Sequence, residues 1–262
     1  MIGNQQPIGF FDSGVGGISV LIEAILELPH ESFIYLGDSL NAPYGVKTVL
    51  EVQALTLIAV QRLIDMGAKA VVIACNTATS ASIKLLRETF SVPIIGMEPA
   101  LKLAVDTHVQ GDIMVLATPM TLKERKFEQL MARVGVSHTI VKMPAPELVI
   151  AIEQNQLEDA TLYKIFDLYF KPYEDRRFDA VVLGCTHYIF IKEALSRYLS
   201  GPVRIIDGNA GTVRHLTKIL KERQALSLSN APGTCEVVMT GGAKSQAIAE
   251  GFLQRGLSHK ED

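Results

Sequence analysis

Little in this 262-residue chain points outward to a large charged or lipid partner. Basic and acidic side chains nearly balance, at 25 against 28. With no basic stripe, nucleic acid is not an expected partner. The apolar runs are far too short to span a bilayer, and no polybasic or amphipathic segment suggests a membrane surface. The first residues, Met1 to Pro7, lack the charged and long apolar regions of a signal peptide. Cysteine is scarce: three residues, an odd number and widely spaced, make no disulfide framework. The expected compartment is therefore reducing, the cytoplasm. CxxC, HExxH and dense His/Cys clusters are missing, so no protein-built zinc site is expected.

What the chain does contain is a pattern written twice. Ala70-Val71-Val72-Ile73-Ala74-Cys75-Asn76-Thr77 and Ala180-Val181-Val182-Leu183-Gly184-Cys185-Thr186-His187 each run from β-branched residues to a small residue, a cysteine and hydrogen-bonding side chains. Such runs read as buried strands of a parallel sheet. In open α/β folds, ligands bind just beyond the carboxyl ends of these strands. Two thiols therefore share one structural address in two similar halves. Both are expected at helix N-termini, where the dipole favours a thiolate. Cys235 opens a predicted strand without such company and reads as structural.

Strand and helix patterns alternate around these segments. Strands are expected at Pro7 to Phe11, Ser32 to Leu36, Ala70 to Ala74 and Pro93 to Gly96. Helices are expected at Val15 to Leu28, Val49 to Met66 and Ala78 to Phe90. The series then restarts with strands at Asp112 to Ala117, Thr139 to Lys142, Ala180 to Gly184 and Val203 to Asp207. Its helices fall at Leu122 to Arg133, Glu147 to Gln154, Leu157 to Tyr173 and Ile191 to Leu199. A helix, a strand at Glu236 to Met239 and a last helix follow. The fold class is α/β: two pseudo-symmetric α/β domains with mainly parallel sheets and the active site in the cleft between them. The expected domains are 1–98 plus 208–262, the second segment completing the first domain, and 99–207.

Other motifs admit more than one reading. Asp12-Ser13-Gly14-Val15-Gly16-Gly17 joins a strand to a helix, where glycines let backbone approach a ligand. Gly14-x-Gly16-x-x-Ser19 nearly matches a dinucleotide fingerprint, with Asp38 at about the right remove for a ribose. The third glycine is missing, and Asp12 would crowd a pyrophosphate. Pro43-Tyr44-Gly45 reads alone as a proline turn. Glu153 reads as a solvated helix charge. His187, two residues beyond Cys185, reads as a catalytic partner. Thr240-Gly241-Gly242-Ala243-Lys244-Ser245 lacks P-loop spacing and reads as a strand-to-helix turn.

Taken in order, Asp12-Ser13-Gly14-x-Gly16-Gly17, Pro43-Tyr44-Gly45, Ala74-Cys75-Asn76-Thr77 and Gly184-Cys185-Thr186-His187 resemble the glutamate racemases of the aspartate/glutamate racemase family. The resemblance implies a cofactor-independent isomerase that interconverts L- and D-glutamate and supplies D-glutamate for peptidoglycan. It implies that Cys75 and Cys185 are the acid/base pair, with Asp12 and His187 also in the catalytic set. Ligand contacts would come from Asp12, Ser13, Tyr44, Gly45, Asn76, Thr77, Thr121, Thr186 and His187, supported by Asp38 and Glu153. The family's threonines are matched by Thr118 and Thr121, but Glu124 and Phe127 stand where a serine and a tyrosine are common. The implied partner is free glutamate, with no nucleic acid and no membrane, and a homodimer is left open.

Overall fold

The computed structural model describes residues 4–98, 100–106, 111–123, 128–129, 131–132 and 139–258. The chain divides into two compact units, Met1–Glu98 with Asn209–Asp262, and Pro99–Gly208.

The first unit is built on five parallel strands: β1 (Ile8–Asp12), β2 (Phe33–Gly37), β3 (Ala70–Ile73), β4 (Ile94–Gly96) and β9 (Cys235–Met239). Their order is β4-β3-β1-β2-β9. Every residue of β1, β2, β3 and β4 is buried, which explains continuous apolar runs in place of alternation. The helices are α1 (Ile18–Glu27), α2 (Val49–Asp65), α3 (Asn76–Thr89), α9 (Asn209–Glu222) and α10 (Ala243–Ser258). α1 packs with α9 and α10, and α2 packs with α3. Right-handed crossovers run one way from β1 to β2 and the other way from β2 to β3 and on to β4, so these two groups cover opposite faces of the sheet. Residues 209–262 return to this unit, where β9 pairs with β2.

Local chemistry sets the helix ends. Thr48 and Glu51 form a capping box at α2, with Thr48 N–H donating to Glu51 Oε2 at 2.8 Å and Glu51 N–H to Thr48 Oγ1 at 3.3 Å. Gly67, at φ +91°, supplies the left-handed residue after that helix. A buried ion pair, Lys69 Nζ to Glu31 Oε2 at 2.6 Å, lies at the amino-terminal end of the sheet. Glu31 Oε1 also accepts from Ser227 N–H at 2.6 Å, tying in the returning segment.

The second unit repeats the plan with four parallel strands: β5 (Asp112–Ala117), β6 (Ile140–Pro144), β7 (Phe178–Gly184) and β8 (Arg204–Ile206). Their order is β6-β5-β7-β8. Reversed, this is the β4-β3-β1-β2 order of the first unit. Its helices are α4 (Ala100–Asp106), α5 (Pro119–Lys123), α6 (Pro146–Glu153), α7 (Asp159–Phe170) and α8 (Lys192–Leu199). Leu101, Ile113, Val115, Leu122, Met131 and Val182 share one core cluster. Half of the helix expected at Leu122 to Arg133 lies outside the described residues, and Glu124 and Phe127 lie there with it. Among the described residues no helix is long and apolar enough to cross a membrane.

Candidate active site

The strand order creates a switch point in each sheet. In the first unit the chain leaves β1 toward β2 on one side, while β3 lies on the other. The loops after β1 and β3 therefore diverge, and side chains can converge between them. Phe11 pairs with Ile73, so Asp12-Ser13 and Ala74-Cys75 emerge side by side. The second unit does the same with β5 and β7. Leu116 pairs with Leu183 and Ala117 with Gly184, setting Thr118 beside Cys185.

The small residue before each cysteine has a steric reason. A Cβ on Gly17 would lie 2.9 Å from Ala74 Cβ and 2.7 Å from Asp12 Cβ, so α1 approaches the strand ends only over small groups. A Cβ on Gly184 would lie 2.9 Å from Ala117 Cβ and 3.1 Å from the Leu116 carbonyl oxygen.

Around the first thiol the polar groups are buried and mutually bonded. Cys75 Sγ donates to Ser13 Oγ at 3.5 Å, and Ser13 Oγ donates to Asp12 Oδ1 at 3.4 Å. Cys75 caps α3, its sulfur accepting from Ala78 N–H at 3.4 Å. Asn76 and Thr77 begin that helix, and Thr77 is buried. Asp12 Oδ1 also accepts from Gly14 N–H at 2.9 Å. That amide is one a dinucleotide phosphate would need, and a carboxylate already fills it. Ser19, at the third fingerprint position, is buried. Its hydroxyl donates to Gly16 O at 2.9 Å and accepts from Asn209 Nδ2 at 3.0 Å.

The Pro43-Tyr44-Gly45 segment is more than a turn. Tyr44 and Gly45 are buried in a 3-10 turn, Tyr44–Val46. The Tyr44 hydroxyl donates to Asp38 Oδ2 at 2.7 Å. Burial, and then the Asp38 carboxylate, push the Tyr44 phenol far above its ordinary range, so it stays protonated. Asp38 also accepts from Asn41 Nδ2 at 3.0 Å on both oxygens, and from Thr240 Oγ1 at 2.8 Å. Thr240 Oγ1 accepts in turn from Leu40 N–H at 3.0 Å. Asp38 thus serves as the anchor of the Tyr44 loop.

Around the second thiol the partners differ. His187 Nδ1 stands 3.7 Å from Cys185 Sγ, and His187 Nε2 stands 2.6 Å from Glu153 Oε1. Burial disfavours the charged imidazole, but the Cys185 sulfur and the Glu153 carboxylate outweigh it and hold the His187 pKa well above 6.5. Thr118 and Thr121 share a hydroxyl–hydroxyl bond at 2.9 Å, and Thr121 N–H donates to Thr118 Oγ1 at 3.2 Å. Thr186 is buried beside Cys185. Tyr188 donates to Ala145 O at 2.7 Å, pinning the turn after Cys185 to the end of β6.

Two expectations need correcting. Glu153 is not a solvated helix charge: it sits at the last residue of α6, where its carboxylate reaches His187. Nor do the thiols share the same helix-end support. The segment after Cys185 is a 3-10 run, Thr186–Ile191, and Cys185 makes no side-chain cap bond to it. The imidazole of His187 takes the place the helix end holds at Cys75. Sequence reasoning missed Asn41, Tyr188 and Thr240. Thr240 carried no short-range signal, because its partner Asp38 is 202 residues away.

All three cysteines are free thiols, with Cys75 and Cys185 buried and Cys235 exposed at the start of β9. Among the described residues, no three His, Cys, Asp or Glu side chains are grouped to hold a metal ion. Each unit therefore offers a thiol, a carboxylate and hydroxyls at one strand-end address, a set suited to moving protons.

The chain is similar to known proteins over nearly its whole length. The family model described as "Asp/Glu/Hydantoin racemase" matches residues 22–216. A glutamate racemase of Clostridium botulinum (strain Alaska E43 / Type E3) is 48% identical over 241 residues, covering 92% of this chain and 93% of that protein. The crystal structure of a glutamate racemase isoform from Bacillus anthracis is similar with a TM-score of 0.85 at 31% identity, covering 96% of this chain and 95% of that one. The Escherichia coli glutamate racemase, in complex with L-glutamate and the activator UDP-MurNAc-Ala, is similar with a TM-score of 0.83 at 28% identity, over 96% and 95%. The chain belongs to the Asp/Glu/hydantoin racemase family of isomerases and, within it, stands with the glutamate racemases.

Proposed function

We propose that this chain interconverts L- and D-glutamate by a two-base mechanism in which Cys75 and Cys185 serve opposite faces of the α-carbon. The observation that carries the reading is the pair of buried thiols at equivalent strand ends, each with its own polar company. One cysteine enters as thiolate and takes the α-proton, becoming a thiol. The other enters as thiol and delivers its proton to the opposite face, becoming a thiolate. Turnover exchanges their states, and the reverse reaction uses the same pair with roles swapped. No electron leaves or enters, so the chemistry calls for no redox cofactor.

The α-proton of an amino-acid carboxylate is weakly acidic, so the site must stabilise charge developing on the carboxylate. Ser13, Asn76, Thr77, Thr121 and Thr186 supply neutral donors for that task. Asp12 is suited to the α-ammonium, because its carboxylate is buried beside Ser13 and Cys75. His187, held by Glu153, stabilises the Cys185 thiolate or returns a proton to it. Tyr44 and Gly45 present the loop held by Asp38. We place the reaction in the cytoplasm, supplying D-glutamate for peptidoglycan, with the chain working as a homodimer.

The test is racemisation in deuterium oxide with no added cofactor. Two bases predict that D-glutamate formed from L-glutamate carries deuterium at Cα from the first turnover, while unreacted L-glutamate does not. Return of the original proton to the product would overturn the scheme. Racemisation of L-aspartate in place of L-glutamate would overturn the substrate assignment.

A further inference from the structure

Helix α6 carries Glu153 as its last residue, so whatever fixes that helix also fixes the carboxylate that meets His187. The carboxyl end of the helix closes on itself. With Asn155 at φ +55°, its N–H donates to Ile152 O at 2.9 Å and the Gln156 N–H donates to Ala151 O at 2.8 Å. That pair of bonds is a Schellman motif, and it holds the backbone on either side of Glu153. The amino end has no such closure of its own. Ala145 stands at the N-cap position, where it brings no side-chain acceptor, and Pro146 follows it without an N–H.

Bonds from elsewhere in the second unit replace the missing cap. Ala145 N–H donates to Ala117 O at 3.1 Å, at the end of β5, and Ala145 O accepts from the Tyr188 hydroxyl at 2.7 Å. Tyr188 is fully buried, and its own N–H donates to Cys185 O at 3.1 Å. Burial, and then the Cys185 sulfur, keep the Tyr188 phenol far above its ordinary range, so the hydroxyl stays a donor. In the first turn of α6, Glu147 accepts from the Tyr169 hydroxyl of α7. His187 and Tyr188 are consecutive in one 3-10 run, yet they hold opposite ends of a helix about 12 Å long.

We propose that Tyr188 is a positioning residue for the reaction: its hydroxyl, seconded by that of Tyr169, sets where α6 lies along the turn after Cys185 and so sets the contact between Glu153 and His187. The proposal rests on the reading of Cys185 as a base assisted by His187. The Tyr188 hydroxyl has one proton to give, and it gives it to a backbone carbonyl. Its influence on the thiol therefore runs through the helix. A short helix with a closed end moves as a rod, so slack at Ala145 becomes displacement at Glu153. A hydrogen bond weakens steeply with lost alignment, which makes the 2.6 Å contact to His187 sensitive to that slack.

Tyr188→Phe removes the hydroxyl and keeps the ring. The His187 ring-proton titration, followed by NMR, should move down from its native position, because the carboxylate contact is one cause of the raised pKa. The kcat for glutamate should fall by about fivefold, the order of one hydrogen bond, with KM unchanged. Tyr188→Phe combined with Glu153→Gln should be no slower than Glu153→Gln alone, because the anchor acts through that carboxylate. An unmoved His187 titration in Tyr188→Phe, or an equal loss of kcat in both backgrounds, would overturn the proposal. Where Tyr188→Phe fails to fold, Tyr169→Phe decides, since it loosens the same helix and leaves the turn after Cys185 untouched. A lowered His187 titration in that variant supports the anchor, and an unmoved one overturns it. The titrations need no turnover. Native protein that fails to racemise glutamate would overturn the reaction assigned above, and the His187 titrations would still decide the anchor.

Discussion

Glu153 and His187 are joined by a 2.6 Å contact whose other end, across the same imidazole ring, faces the sulfur of Cys185 at 3.7 Å. A carboxylate at the end of one helix thereby acts on a thiol at the end of a strand. Glu153→Gln keeps the shape and removes the charge. It should lower the His187 pKa from its raised position and reduce glutamate racemisation by about 10- to 100-fold, the order expected when a general acid or base is detuned. Ring-proton NMR titration, read beside the pH profile of kcat, checks this. An unmoved His187 titration would contradict it.

The same raised pKa fixes the sign of a stability effect. A group whose pKa is raised by folding stabilises fully below its unfolded value and loses that contribution as pH rises through the folded value. The His187 contribution is thus complete below about pH 6.5 and fades above it. Urea denaturation of native protein and of His187→Gln should therefore differ most at acid pH and converge in alkali. A gap that widens with pH would show the opposite coupling.

Cys75→Ala and Cys185→Ala should each reduce racemisation by about a thousandfold or more, in line with the loss of an essential proton-transfer group. Each should leave the fold intact, as a small residue at a sheet end is a mild change. Cys235→Ala should racemise normally, because that residue is exposed and far along the chain from either thiol loop. Full activity in either of the first two variants would remove the two-base scheme.

Thr240→Val deletes one of the bonds that hold Asp38 and leaves Leu40 N–H without this acceptor. The Tyr44 loop should loosen, and KM for glutamate should rise by about tenfold, the order of one charged hydrogen bond. Thr240→Ser should restore it. A change in kcat alone would mean that the loop does not bind substrate.

Lys69 and Glu31 are both buried and bonded to each other. Lys69→Met strands a buried carboxylate and should destabilise the first unit by about 3–5 kcal/mol. Lys69→Met combined with Glu31→Leu should recover most of that loss. Urea unfolding curves decide the matter, and a single-variant loss below about 1 kcal/mol would mean that water reaches the pair.

Much of this architecture is legible in sequence because buried parallel strands are written as unbroken apolar runs, and because the run ending in cysteine occurs twice. The small residues before Cys75 and Cys185 are part of that text, since Ala74 and Gly184 fit where larger side chains would collide. Other features depend on distance through the chain. Glu153 looks like any helix carboxylate until α6 carries it to His187. Thr240 looks like a turn residue until β9 lays it beside Asp38. The 3-10 run after Cys185 escapes prediction because its residues, Thr186 to Ile191, carry no signal distinguishing a tight turn from the start of an α-helix.

The return of residues 209–262 to the first sheet has a consequence for how the protein is made. A ribosome releases the chain from its amino end, so β1 to β4 emerge long before β9 exists. Until then β2 is a bare edge, offering Phe33, Ile34, Tyr35 and Leu36 beside unpaired backbone groups. The middle unit, a single continuous stretch, can finish while the first is still waiting. The half of the molecule synthesised first is thus the half completed last, and the threonine that anchors Asp38 arrives only with the final strand.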